Sequence, residues 1–319
     1  MAIPQSRRLG FSEIPVIDLG PLVEGKTSTP VVDALGDACR DIGFIYVRNH
    51  GVPRELVARL AEQAALFFRR PMAEKMRIAV DPRMRGYLPL NYRSYEGEAR
   101  AGTSHQEGFW IGHERPISKE SPLDGPNQWP AGLPGLKPAM LAYFAAVERL
   151  SHVLMRGFAL ALGLRPDFFE PIFHEPMSRL KLNHYPPQLS PESDNDIGVV
   201  PHSDSGGFTI LWQDDLGGLE IQGKSGEWVG APPIPDTFVI NLGNIMQIWT
   251  NGYFSSTPHR VINRGGKDRY SIPLFCNPNR NAVIEPLIGT RDPDFKSFKF
   301  GDYQRAEYRR IFPVAKIPA

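Results

Sequence analysis

The chain has 319 residues, with 36 Lys and Arg against 35 Asp and Glu and a formal net charge of +1. That length supports a full hydrophobic core, and the balanced charge argues against a polyanion binder, which carries a basic excess. No apolar run approaches the ~18 residues of a membrane helix, and no apolar stretch of the secretory kind follows Arg7-Arg8, so neither nucleic acid nor membrane is an expected partner. Two cysteines, Cys39 and Cys276, without a Cys-x-x-Cys pair fit a reduced, cytoplasmic protein. The 31 prolines, nearly twice the usual ~5%, predict many turns and short strands, because proline is excluded from helix interiors and central strands.

In chain order, residues 14–19 form a short extended segment. Residues 31–41 have helical spacing, with Val32, Leu35, Ala38 and Cys39 on one face. Residues 44–47 read as a strand closed by Asn49-His50-Gly51. Residues 53–76 read as one longer helix, with Pro53 near its first turn. Residues 80–130 show no periodicity, which marks either a functional lid or a region that periodicity reads poorly. Residues 136–164 carry a strong amphipathic stripe: Met140, Phe144, Val147, Leu150, Leu154, Phe158 and Leu162. From residue 177 the texture changes to short β-rich segments (179–185, 207–213, 218–222, 237–242, 259–262 and 270–275), which suggests a barrel or jelly roll. Arg264-Gly265-Gly266-Lys267 looks like a hairpin turn, and residues 304–311 form a final short helix. The whole reads as one β core wrapped by N-terminal helices.

Of eight histidines, two stand out by neighbourhood. His202-Ser203-Asp204 puts an imidazole and a carboxylate at i and i+2, on one face if the segment is a strand. His259 opens a later predicted strand. Two imidazoles and a carboxylate form the facial set of non-haem Fe(II) oxygenases. Zinc hydrolases use the same donors, so ligand types alone leave the metal open. Arg269-Tyr270-Ser271 likewise puts a guanidinium and a hydroxyl on one strand face, a fork and a further donor suited to a carboxylate. A clamp beside a metal site points to an acid co-substrate. Cys276, with no base beside it, reads as a structural thiol.

These segments carry a family resemblance. His202-Ser203-Asp204-Ser205-Gly206-Gly207-Phe208-Thr209-Ile210-Leu211-Trp212-Gln213-Asp214, Gly217-Gly218-Leu219, Asn251-Gly252-Tyr253 with Ser256, His259-Arg260-Val261 and Arg269-Tyr270-Ser271 resemble the core of the isopenicillin N synthase-like Fe(II)/2-oxoglutarate dioxygenases. Ile14-Pro15-Val16-Ile17-Asp18, Gly43-Phe44 and Asn49-His50-Gly51-Val52 are similar to that family's N-terminal region, so the resemblance spans nearly the whole chain. It implies a mixed α+β fold with a mainly β core, a double-stranded β-helix (jelly roll, cupin-like). Residues 1–175 would be an N-terminal helical and mixed region serving as lid and support, 176–285 the catalytic β-helix, and 286–319 a C-terminal extension, all in one structural unit.

The resemblance further implies Fe(II) bound by His202, Asp204 and His259, and the distal carboxylate of 2-oxoglutarate bound by Arg269 and Ser271. Asn183-His184-Tyr185-Pro186-Pro187 is similar to the family's Asn-Tyr-Tyr-Pro-Pro segment, which adds Asn183 and Tyr185 to the co-substrate site and leaves His184 as a structural departure. Asn244 stands where the family usually has Asp. The implied activity consumes O2 and couples oxidative decarboxylation of 2-oxoglutarate to hydroxylation, desaturation or cyclisation of an unidentified small molecule. Arg85, Tyr87, Tyr92, Trp110 and Phe275 are candidate substrate-lining residues. Three alternatives stand beside this reading: an isopenicillin N synthase-like oxidase that uses the clamp for its own substrate, an ethylene- and succinate-forming enzyme, and a non-catalytic metal-binding scaffold. Nothing in the sequence specifies an oligomeric state.

Overall fold

The computed structural model describes residues 14–90, 104–119, 121–187, 197–263, 265–290 and 292–312. The chain enters on β1 (Val16–Asp18), makes one turn in α1 (Gly20–Val23), and runs through α2 (Thr29–Asp41) into β2 (Phe44–Arg48). Gly43, at φ +69°, makes the turn between α2 and β2, and a Cβ there would collide with the Ser255 carbonyl oxygen. The single helix expected over residues 53–76 is two helices, α3 (Arg54–Phe68) and α4 (Met72–Met76). Pro71 divides them, because it offers no N–H and disfavours helical geometry in the residue before it.

Residues 80–130 contain two strands that periodicity does not reveal, β3 (Gly86–Leu88) and β4 (Glu107–Gly112). All six residues of β4 are buried, so no alternation of polar and apolar positions marks it, and two of them are glycines. The long helix α5 (Leu136–Ala161) follows. The second half supplies β5 (Arg179–Tyr185), β6 (Val199–His202), β7 (Phe208–Gln213), β8 (Leu219–Gln222), β9 (Trp228–Gly230) and β10 (Phe238–Leu242). It continues through α6 (Asn244–Trp249), β11 (His259–Val261), β12 (Arg269–Cys276), β13 (Val283–Ile284) and β14 (Phe298–Lys299) to α7 (Phe300–Ile311).

The strands form a jelly roll. Its major sheet has the order β1-β2-β10-β7-β12-β5-β4-β3, and its minor sheet β6-β11-β8-β9. Half of the major sheet therefore comes from the region expected to act as lid and support. Arg264 of the predicted hairpin lies outside the described residues, and β11 pairs in the minor sheet while β12 pairs in the major one, so the two strands are joined by a crossover and not by a hairpin. The Asn263 side chain anchors it by donating to the carbonyls of Tyr185, Pro186 and Lys267.

Side-chain alternation sorts the major sheet into two faces. Leu180 and Leu182 of β5 and Ile272, Leu274 and Cys276 of β12 pack into the helix-covered core with Leu150, Leu154 and Phe158 of α5. The opposite face turns Lys181, Asn183 and Tyr185, with Arg269 and Ser271, toward the minor sheet, and residues of both sheets line the space between. Burying so many polar groups is costly unless each finds a partner, so this interior is a site rather than a core. Burial pushes the Cys39 and Cys276 thiols up, as expected for structural residues. Among the described residues no helix is long and apolar enough to cross a membrane.

On the helix side of the major sheet, one network fixes β4 against β5. The Glu107 carboxylate accepts from Lys75 Nζ at 2.7 Å and from the Tyr87 hydroxyl, and meets His184 Nδ1 at 2.7 Å. His184 stacks on Tyr270 with ring centroids 5.0 Å apart and reaches Asp268 through Nε2. Burial alone would raise the Glu107 pKa, but its bonds to His184, Lys75 and Tyr87 outweigh that and hold it below the usual value. Glu107→Ala is expected to cost about 3–5 kcal/mol, because it leaves buried Lys75 without its carboxylate; an unfolding free energy from urea denaturation within about 1 kcal/mol of wild type would contradict this. A depressed carboxyl pKa stabilises the fold above the unfolded value of about 4.3, and this gain is lost as pH falls through the folded value. Glu107→Gln should therefore flatten the acid limb of the stability curve.

Candidate metal centre and adjoining pocket

β6 ends at His202 and β11 begins at His259, directly opposite each other in register. Their ring centroids lie 4.4 Å apart. His202 Nδ1 stands 2.9 Å from the Val200 carbonyl and His259 Nδ1 3.3 Å from that of Thr257. Each Nδ1–H is thus committed to backbone, which leaves the Nε2 lone pair as the ligand atom. Asp204 does not share a strand face with His202 as the spacing suggests, because the strand stops at His202 and Asp204 lies in the following turn. That turn is clamped from below. The Asn244 N–H donates to the Asp204 carbonyl at 2.8 Å, and Gly243 approaches so closely that a Cβ would collide with the Gly206 oxygen.

One oxygen of Asp204 is fully used and the other is left. Oδ2 accepts from Thr209 Oγ1 at 2.5 Å and from Asn241 Nδ2 at 2.7 Å. Thr209 and Asn241 are register partners on β7 and β10. Oδ1 lies 3.7 Å from His202 Nε2 and 3.9 Å from His259 Nε2. Burial favours the neutral acid, but His259, His202, Thr209 and Asn241 outweigh it and hold the carboxyl below its usual pKa. The three ligand atoms lie within 4.8 Å of one another. Two imidazoles and one carboxylate oxygen converging from one side fit a divalent ion with open positions opposite. Thr209 and Asn241 escape a reading by motif, although a lone Asn in the buried apolar run Phe238-Val239-Ile240-Asn241-Leu242 signals a hydrogen-bond duty. Asn244 keeps its own partner, with Oδ1 accepting from the Ser256 hydroxyl at 2.9 Å.

The narrow cavity beside these ligands, about 60 Å³, ends on β5 and β12. Arg269 pairs with Tyr185 and Ser271 with Asn183 in the strand register. The Arg269 guanidinium, 1% exposed, lies 4.7 Å over the Tyr185 ring. Its Nε donates to the Gly217 carbonyl and its Nη2 to Gln213 Oε1 at 3.1 Å, while Nη1 has no partner among the described residues. Asn183 Nδ2 donates to Ser271 Oγ at 3.2 Å, and among the described residues its Oδ1 also has no partner. A buried cation with its Nη1 edge unmatched, next to a metal triad, is the form of a site completed by an anionic ligand.

The candidate substrate residues divide. Trp110 and Phe275, stacked at 5.4 Å, line a second cavity of about 250 Å³ on the other side of His202 and Asp204, closed by α7. Arg85 and Tyr87 line neither cavity. Arg85 Nη1 donates to Asn127 Oδ1 and Nη2 to the His113 carbonyl, and Tyr87 binds Glu107. Tyr92 lies outside the described residues. His50 is remote from the triad: it lines a surface cleft, edge-on to Phe238.

Comparison with known proteins agrees with this geometry. Residues 176–278 match the 2OG-Fe(II) oxygenase superfamily, and residues 14–132 match the N-terminal region described as non-haem dioxygenase in morphine synthesis. Homoarginine-6-hydroxylase 2-ODD-C23 of Glycine max is 35% identical over 92% of this chain and 94% of its own length. The 2-oxoglutarate-Fe(II) type oxidoreductase hxnY of Emericella nidulans is 31% identical over 95% of this chain and 91% of its own. The crystal structure of a full-length Neurospora crassa protein in complex with alpha-KG and thymine superposes with a TM-score of 0.82 at 28% identity, covering 93% of this chain and 96% of that one. With its His-Asp-His centre inside a jelly roll, the chain belongs to the isopenicillin N synthase-like family of Fe(II)/2-oxoglutarate-dependent oxygenases.

Proposed function

We propose that this oxygenase hydroxylates a small polar molecule while Arg269, Ser271, Asn183 and Tyr185 hold 2-oxoglutarate beside the iron ligands. The observation that carries the co-substrate assignment is the buried Arg269 guanidinium, whose Nη1 has no partner among the described residues. Held by His202, Asp204 and His259, Fe(II) supplies the O2 chemistry that couples conversion of 2-oxoglutarate to succinate and CO2 with substrate oxidation. The protein's own tasks are placement and exclusion of water. Gln213 and the Gly217 carbonyl fix two edges of the Arg269 fork, so the third can meet a carboxylate with little ordering cost. Leu211, Leu219 and Val261 form the apolar wall of the same pocket, which keeps the surroundings low in dielectric and strengthens the charge pairing. Hydroxylation of a small polar molecule is supported by two relatives of different chemistry: the soybean relative is named for homoarginine, and the Neurospora crassa structure holds thymine.

Arg269→Leu should raise the 2-oxoglutarate concentration needed for half-maximal succinate formation by at least ~30-fold, because losing one member of a buried charge pair costs about 2–5 kcal/mol. An unchanged requirement would move the clamp elsewhere. Thr209→Val removes one of the two donors that fix Asp204. Equilibrium dialysis should show Fe(II) affinity falling ~10–100-fold with the far-UV spectrum intact, and wild-type affinity would show that Thr209 does not orient the ligand.

A further inference from the structure

Between β7 and β8 the chain turns through residues 214–218, and this turn touches the Arg269 guanidinium. Its Gly217 carbonyl accepts from Arg269 Nε, and Gln213, the last residue of β7, accepts from Nη2. Two glycines bring the backbone this near. Gly217 and Gly218 lie at φ +75° and +89°, a region open to glycine and strained for other residues. A Cβ on Gly218 would collide with the Ile262 carbonyl oxygen and would stand 3.7 Å from Arg269 Nε. Where the Gly217 carbonyl sits therefore depends on what fastens the turn.

Asp214 fastens it with both carboxylate oxygens. Oδ1 accepts from the Leu216 N–H at 3.2 Å, which closes the turn on itself. Oδ2 accepts from the Tyr270 N–H at 2.6 Å, and the Asp214 N–H donates to the Tyr270 carbonyl at 3.1 Å. Tyr270 stands between Arg269 and Ser271, and Ser271 is the register partner of Gln213. One carboxylate thus joins the strand that bears the clamp to the turn that aims it. Burial pushes the Asp214 carboxyl up, and the Tyr270 N–H, the Arg269 charge and the Leu216 N–H oppose this, so the guanidinium lies within its electrostatic reach.

The two effects of Asp214 on a bound anion have opposite signs. Its charge repels the anion, while its bonds order the guanidinium that receives the anion. We infer that the ordering dominates and that Asp214 is a positioning residue of the co-substrate clamp. By tying Tyr270 to Leu216 it holds the Gly217 carbonyl on Arg269 Nε and keeps the unmatched Nη1 edge available to the distal carboxylate. This rests on the reading that Arg269 holds 2-oxoglutarate.

The test is calorimetric titration of the whole protein loaded with Mn(II), which measures binding without turnover. The probes are 2-oxoglutarate and 2-oxopentanoate, which shares the 2-oxo acid end and carries a methyl group where 2-oxoglutarate has its distal carboxylate. Asp214→Asn keeps the size but sets an NH2 against one of the two N–H groups. It should weaken 2-oxoglutarate binding ~10-fold and leave 2-oxopentanoate within ~2-fold of wild type. Asp214→Ala removes both bonds without the misplaced NH2 and should show the same pattern. Added to Arg269→Leu, either substitution should change 2-oxoglutarate binding by no more than ~2-fold, because the group it orients is gone. Equal losses for the two probes would overturn the inference by making Asp214 a general support of the fold. Unchanged or tighter 2-oxoglutarate binding would overturn it by leaving only the repulsion. A full ~10-fold loss in the Arg269→Leu background would overturn it as well. A wild type that binds 2-oxoglutarate no more tightly than 2-oxopentanoate is a separate outcome, and it overturns the Arg269 assignment itself.

Discussion

A carboxylate held by one oxygen organises this molecule. Asp204 is buried between two sheets, where an unpaired charge is untenable. The major sheet supplies Thr209 and Asn241 to Oδ2, while the minor sheet supplies two imidazoles whose Nε2 atoms face Oδ1. Neither sheet could do this alone. Facing of the sheets, register of β7 with β10, and register of β6 with β11 must hold together for Oδ2 to be satisfied and for Oδ1 to meet the two imidazoles. The helices matter to the chemistry through this requirement. By covering the far face of the major sheet they keep Thr209 and Asn241 in place.

The same period-two geometry that buries Ile272 and Leu274 among the helices turns Arg269 and Ser271 inward. One strand thus contributes to the core and to the proposed clamp at once. β5 repeats the pattern, with Leu180 and Leu182 outward and Lys181, Asn183 and Tyr185 inward. The Glu107 network behind β5 ties His184, the residue between inward-facing Asn183 and Tyr185, to β4. A mutation there would reach the pocket through strand position rather than through contact.

The metal ligands are legible in the sequence because they are few, chemically distinctive and set in short motifs. The inward placement of Arg269 and Ser271 is legible because alternation is a local rule. What local rules do not carry escapes a reading of the sequence. β3 and β4 are buried on both sides, so no polar face announces them. Arg85 and Tyr87 carry the right side-chain chemistry for a pocket, yet Asn127 and the His113 carbonyl take the two Nη groups of Arg85 and Glu107 takes the Tyr87 hydroxyl. Thr209 and Asn241 look like core-strand residues until Asp204 is placed against them. The role of α7 as a wall of the second cavity depends on long-range docking, which amphipathic spacing within the helix does not encode.

The most direct measurement of the account is anaerobic absorption spectroscopy of the Fe(II)-loaded protein titrated with 2-oxoglutarate. The account predicts a visible metal-to-ligand charge-transfer band that grows to saturation, since the pocket joins the triad to the proposed anion clamp. Stoichiometric Fe(II) binding with no such band at saturating 2-oxoglutarate would contradict it, and Arg269 would then belong to the substrate.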